Sequence, residues 1–148
     1  MNGLRAGCAM THVNIHMPED LLNIYYKAFA DKANWASVIA DDFQFIGGDM
    51  TNTTPIVGKQ AYIEIIKRFS QVFESMRVKE MIIEGDKACV IGNYDYQFPN
   101  GQKMNGNVAE LWTAKDSKLQ SLTIYFDTLT FANNSRMPDK TNSRARRK

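Results

Sequence analysis

The chain has 148 residues, the length of one domain, since domains most often run to about 100–150 residues. Hydrophobic residues make up 44% and charged residues 23%, which excludes a wholly disordered chain, a collagen-like repeat and a disulfide scaffold. No stretch approaches the roughly 18–20 consecutive apolar residues of a membrane span. The net charge of +2 is unevenly spread. From Asn133 onward Arg136, Lys140, Arg144, Arg146, Arg147 and Lys148 face only Asp139, so this tail is +5 and residues 1–132 are −3. A mildly acidic body argues against a nucleic-acid face, and the tail holds no aromatic side chain to stack bases. Neither nucleic acid nor a membrane is expected as a partner.

Residues 1–16 read as a flexible arm. Pro18-Glu19-Asp20 opens a helix, because proline suits the first helical position and acids suit the first turn. Leu21, Leu22, Tyr25, Ala28 and Phe29 continue it at helical spacing to Ala30. A short second helix is expected from an Asn34 cap through Trp35, Val38 and Ile39. Phe43 to Ile46 reads as a strand, and Gly47 to Val57 as a loop. After Gly58 the strongest helical stripe comprises Tyr62, Ile65, Ile66, Phe69, Val72 and Phe73.

From about Arg77 the pattern turns to strands. Val78–Glu84 pairs with Ala88–Phe98 through Gly85-Asp86. Asn100-Gly101 signals a type I′ hairpin turn, followed by a strand over Lys103–Ala114. Asp116-Ser117 turns into a last strand, Leu119–Phe126. Helices followed by a four-strand meander give an α+β domain, expected over residues 17–132, with a disordered basic tail over 133–148. Cys8 and Cys89 suggest no disulfide framework, and a reducing, cytoplasmic compartment is expected. His12 and His16 lie four apart, but no acid or thiol completes a metal site near them. No phosphate-binding glycine loop, dinucleotide fingerprint or zinc spacing occurs. No metal or cofactor is therefore expected.

Four segments carry a family resemblance: Ala40-Asp41-Asp42-Phe43, Pro55-Ile56-Val57-Gly58-Lys59-Gln60-Ala61, Val108-Ala109-Glu110-Leu111-Trp112, and Ser121-Leu122-Thr123-Ile124-Tyr125-Phe126-Asp127. In their order and spacing, the region from about Pro18 to Thr130 resembles the SnoaL-like branch of the nuclear transport factor 2-like superfamily. Relatives there include polyketide cyclases, ketosteroid isomerases and limonene epoxide hydrolases. The resemblance implies a cone-shaped α+β barrel, in which a strongly curved, mainly antiparallel sheet wraps around N-terminal helices. An apolar pocket is expected at its open end.

Two readings of the Ala88–Phe98 strand conflict. Simple alternation buries Val90, Gly92, Tyr94, Tyr96 and Phe98. The resemblance instead turns Ile91, Asn93 and Asp95 into the pocket. It leaves Tyr94, Tyr96 and Phe98 on an outer face that often forms a homodimer in relatives. The resemblance's parity is the one adopted, and with it a homodimer.

On the next strand Gly106, Val108, Glu110 and Trp112 share a face. A carboxyl among apolar neighbours costs several kcal/mol to ionise, so the pKa of Glu110 should rise. An acid kept neutral can donate a hydrogen bond to a developing oxyanion, as ketosteroid isomerase does. By resemblance, Glu110 falls where the isomerases carry that Asp, and Tyr26 where they carry a catalytic Tyr. Alternatively, Tyr26 packs in the core and bonds Glu110 structurally. The isomerases' general-base Asp falls at Gly47, with Asp49 two residues on. The Asp-Arg-Asp set of the epoxide hydrolases falls at Asn93, Ile91 and Ile124, which lack the chemistry. The cyclases' acid–base Asp resembles Asp127, which could equally cap the chain after the strand.

The candidate catalytic set is thus Glu110, Tyr26, Asp127, Asn93 and Asp95. Trp112, Val108, Ile91, Ile124 and Phe126 are the candidate ligand wall. The expected function is a cofactor-independent acid–base enzyme of cyclase or isomerase type, acting on a small apolar carbonyl or polyketide-like molecule. A non-catalytic binding protein and a dimeric interaction module remain open beside it.

Overall fold

The computed structural model describes residues 18–48 and 50–135. The expected arm, most of the expected tail, Cys8, His12, His16 and Asp49 lie outside these residues. Helix α1 (Pro18–Ala30) begins at its proline with Glu19 and Asp20 in the first turn, where acids oppose the positive end of the helix dipole. It buries Leu21, Leu22, Tyr25, Tyr26 and Phe29. A Schellman motif ends it. The Ala33 amide donates to the Ala28 carbonyl at 2.8 Å, the Lys32 amide to that of Phe29 at 3.2 Å, and Lys32 takes a left-handed φ of 55°.

The expected second helix is only a 3₁₀ turn over Ala36–Val38, with Asn34 Oδ1 accepting the Ala36 amide at 3.1 Å. Strand β1 (Ile39–Ile46) follows at once, four residues earlier than expected, because Ile39 and Ala40 already pack inside. A two-residue strand β2 (Ile56–Val57) pairs with it. Helix α2 (Lys59–Phe69) stops four residues short of the expected stripe's end. Phe73 instead opens β3 (Phe73–Glu84), where its ring still reaches the core beside Phe69 at 5.6 Å. The two elements thus share one apolar run.

Strands β4 (Lys87–Gln97), β5 (Lys103–Lys115) and β6 (Lys118–Tyr125) complete the sheet. Its order is β2-β1-β6-β5-β4-β3. β1 and β6 are parallel and the other pairs antiparallel. Register shifts interrupt β1/β6, β3/β4 and β5/β6. Such bulges bend a sheet, and here the sheet wraps α1 and α2 to form the α+β cone.

The turns differ from expectation. Asn100-Gly101 does not form a type I′ pair. The Gly101 amide closes on the Phe98 carbonyl at 2.8 Å, around Pro99 and Asn100. Only Gly101 has positive φ, at 84°, as in a type I turn with a following left-handed residue. Two consecutive positive φ values fall instead on Asp116 and Ser117, 52° and 60°.

The parity of β4 follows simple alternation. Val90, Tyr94 and Tyr96 are buried, as is Phe98 just beyond. Ile91, Asn93 and Asp95 lie on the outer face, against the expectation adopted above. Turning Asp95 inward would strip a carboxylate of water with no inner partner, whereas outside it accepts from Ser75 Oγ at 2.7 Å and Asn105 Nδ2 at 2.7 Å. Arg77 bonds both Asn93 and Asp95. The face expected to show Tyr94 and Tyr96 to a second copy therefore carries Ile82, Ile91, Leu111 and Tyr125. Among the described residues no helix is long and apolar enough to cross a membrane.

The sequence pattern did not suggest helix α3 (Thr128–Ser135). It extends past the expected domain end at residue 132. Asp127 caps it, with Oδ1 accepting the Thr130 amide at 3.0 Å and Oδ2 the Thr130 hydroxyl at 2.7 Å. This cap seats Phe131 against Tyr96, Phe98 and Phe126, with ring centroids 5.5–5.6 Å apart. Asp127→Ala should remove this cap and destabilise the fold, measured as a lower urea midpoint with an unchanged slope.

Candidate functional site

Glu110 is the one charged residue buried among those described, at 3% exposure. Position 110 on β5 lies opposite Val90 on β4 and Ile124 on β6. The alternation that buries Val108 and Trp112 therefore buries Glu110 as well. Two phenols meet the carboxylate. Tyr26 on α1 donates to Oε2 at 2.8 Å, and Tyr94 on β4 donates to Oε1. Behind Tyr26, Trp112 Nε1 donates to its hydroxyl oxygen at 2.9 Å. Burial raises the Glu110 pKa to about 7, against the smaller opposing pull of the Tyr94 and Tyr26 hydrogen bonds. Burial also pushes the Tyr26 and Tyr94 phenols well above their usual range, with the Glu110 charge adding to the shift. Both phenols stay neutral near pH 7.

Glu110 opens on a cavity of about 470 Å³. Its wall combines Tyr25, Phe29, Tyr62 and Phe69 from the helices with Phe45, Tyr94, Tyr96, Val108 and Ile124 from the sheet and Phe126 just after it, and α3 adds Thr128, Phe131 and Ser135. Tyr25 and Tyr62 hydroxyls bond each other at 2.7 Å. Arg68 stands exposed at the margin. A separate cleft of about 560 Å³ lies between the end of α1 and α2, but its charged groups are Lys32 and Lys67 and it holds no acid. The buried carboxyl belongs to the first cavity. Among the described residues no three His, Cys, Asp or Glu side chains converge to hold a metal ion.

The structure brings together only part of the expected site. Glu110, Val108, Ile124 and Phe126 meet at the cavity. Tyr26 and Trp112 stand behind Glu110 and do not line it: Tyr26 packs in the core and bonds the carboxylate, the alternative left open above. Ile91, Asn93 and Asp95 are on the opposite face of the sheet, as their parity requires. The Asp127 carboxylate is committed to Thr130, whose backbone and side-chain hydrogen bonds hold its pKa below the usual range. It borders a separate recess of about 100 Å³. Gly47 lines the cavity, without a carboxylate to act as the base.

Tyr94, Tyr96, Tyr25 and Tyr62 were missed as site residues. The signal for the first two was the alternation of β4, and the glycine within it. A Cβ built on Gly92 would lie 2.7 Å from Tyr94 Cε2. The bare backbone at Gly92 is what lets the Tyr94 ring lie flat toward Glu110.

A family model, the SnoaL-like domain, matches residues 24–122. The chain belongs to the SnoaL-like domain family. Solved structures of this shape share its fold at low identity. One is a protein named as a SnoaL-like polyketide cyclase from Jannaschia sp. CCS1, at 17% identity and TM-score 0.71, covering 82% of this chain and 93% of that one. Another is TerC co-crystallised with polyporic acid, at 21% identity and TM-score 0.68, covering 80% and 97%. A third is a nuclear transport factor 2-like protein of unknown function from Burkholderia pseudomallei K96243, at 17% identity and TM-score 0.69, covering 81% and 98%. A comparison with curated proteins finds no match. The SnoaL-like cone of this chain thus presents one buried acid to an aromatic cavity.

Two predictions follow from this arrangement. The folded chain binds the Glu110 proton more tightly than the unfolded chain does. That contribution is complete below the unfolded value of 4.5 and is lost as pH rises through about 7. Stability should fall by about 3 kcal/mol across this window, at 1.36 kcal/mol per pKa unit, and Glu110→Gln should flatten the slope in urea titrations at pH 5, 6, 7 and 8. Gly92→Ala should cost about 2 kcal/mol by overpacking and displace Tyr94. A variant as stable as the wild type, with the same Tyr94 ring shifts by NMR, would contradict the packing described.

Proposed function

We propose that this SnoaL-like protein is a cofactor-independent acid–base enzyme acting on a small apolar carbonyl or polyketide-like molecule. One observation carries the reading: the Glu110 carboxyl faces an aromatic cavity with its pKa raised to about 7. An acid–base group works best when its pKa lies near the operating pH, because it is then present in both states. Burying a carboxyl costs free energy that an apolar residue would avoid. The cavity wall suits a flat, mostly apolar molecule, and the phenols at its base suit an oxygen on that molecule. In the ionised state Glu110 is the final acceptor of a proton from a carbon made acidic by a neighbouring carbonyl. The neutral acid then returns a proton as the new bond pattern settles. Two structural neighbours, one named as a SnoaL-like polyketide cyclase and one co-crystallised with polyporic acid, support the ligand class.

A thermal-shift screen with apolar ketones, phenols and steroids tests the reading. A ligand that binds the native state at 100-fold above its Kd adds about 2.7 kcal/mol, several degrees of melting temperature at this size. Hits that are turned over by the wild type and only bound by Glu110→Gln are the expected outcome. Hits without turnover would identify a binding protein. No hit from a varied panel would leave the cavity without a ligand and turn the search to the outer sheet face.

A further inference from the structure

The hydrogen bonds around Glu110 can be counted proton by proton. A phenol has one proton to give and can accept others. The Tyr26 oxygen already accepts from Trp112 and donates to Oε2. Were Glu110 protonated on Oε2, the Tyr26 proton would lose its acceptor in a sealed part of the core, and a buried donor left unpaired is costly. Protonation on Oε1 disturbs only Tyr94, which lines the cavity. Its oxygen can accept the acid's proton while its own O–H turns into the cavity. The two phenols are therefore not equivalent, although both touch the same carboxylate.

Tyr96 adds an independent observation. It is 4% exposed, lies two residues from Tyr94 on the same wall, and stacks on it at 6.1 Å and 16°. Its hydroxyl has no hydrogen-bond partner among the described residues, and it is not among the sealed unpaired atoms. Tyr96 lines both the cavity and the small recess beside Asp127, so its hydroxyl has open space beside it. A buried phenol with a spare donor calls for a ligand oxygen.

We infer that Tyr94 is the catalytic residue through which Glu110 meets its ligand, and that Tyr96 is the second donor to the same ligand oxygen. This rests on the acid–base reading above. In the base direction the proton leaves the ligand for the Tyr94 oxygen while the Tyr94 proton passes to Glu110 Oε1. The electron pair stays on the ligand and spreads to its oxygen, and no other reactant is needed. In the neutral-acid state the Tyr94 O–H is free to bond a carbonyl oxygen. Glu110 itself never contacts the ligand oxygen.

The groups facing Glu110 support a single titration. Tyr25 and Tyr26 face it from α1, Tyr62 from α2, and Tyr94 and Tyr96 from β4, all with pKa values pushed up chiefly by burial. The strands β1, β3 and β6 and helix α3 present Phe45, Met76, Leu122, Ile124 and Phe131 toward the cavity region. Arg68 is at the rim.

Two probes of one shape test the inference on the full chain. 2-Acetonaphthone carries an acceptor oxygen and 2-ethylnaphthalene does not. Only the protonated state frees the Tyr94 donor, so the affinity gained from that bond scales with the protonated fraction. With a pKa of about 7, the ketone should bind several-fold tighter at pH 6 than at pH 8, with roughly tenfold as the ceiling, while the hydrocarbon's Kd stays flat. Tyr94→Phe should bind the ketone with no pH dependence, and Tyr26→Phe should keep it. A flat ketone profile in the wild type, or one that persists in Tyr94→Phe, would overturn the role of Tyr94 and leave the cavity reading intact. If neither probe bound at either pH, the cavity reading itself would fail and the inference with it. The wild-type comparison stands without either variant.

Discussion

A carboxyl buried in the core constrains everything around it. Glu110 must be neutral or must be surrounded by donors, and the fold supplies two donors from different elements. Tyr26 comes from the first helix and Tyr94 from the fourth strand, and Trp112 holds Tyr26 from the strand that carries Glu110. The same three side chains are large aromatic parts of the core, so the network cannot loosen without opening the packing. Function and stability are coupled at this point: the ionisation that would make Glu110 a base is the one that weakens the fold.

The cavity exists because three helices cover a bent sheet without filling its concave side. Tyr25, Phe29, Phe45 and Tyr62 make a close-packed floor, with Phe43 and Trp112 packed beneath it. Above it the sheet turns away through its bulges, and α3 leans in with Phe131. The Tyr94-Tyr96-Phe98 stack runs up one wall at 6.1 and 6.3 Å spacing. Ring faces make up much of this wall, and the Tyr94 phenol bonds Glu110 within it.

Much of the fold was legible in the sequence. The α1 stripe, the β3–β6 meander and the cone architecture follow from periodicity, turn residues and family resemblance. The failures were local and have physical causes. Phe73 continued a helical stripe in sequence yet opens a strand, because both conformations point its ring at the same core. Thr128–Ser135 carries no amphipathic stripe, and α3 forms on an Asp127 cap and the tertiary contacts of Phe131. At the site, Glu110 could be read from its apolar neighbours on one strand face. Asn93 and Asp95 could not be placed by analogy, because the aromatic content of Tyr94, Tyr96 and Phe98 decided the parity of β4. Burial outweighed resemblance at that strand. The pairing of Tyr94 with Glu110 depends on the Gly92 backbone and was visible only in three dimensions.

The central claim is that Glu110 titrates near neutrality inside the folded protein. Its most direct test is a ¹³C NMR titration of the chain labelled at glutamate Cδ, with Glu110→Gln to assign the resonance. A single glutamate titrating at about 7, well apart from the rest, is the predicted result. A Glu110 resonance that titrates with the surface carboxylates near 4.5 would contradict the account.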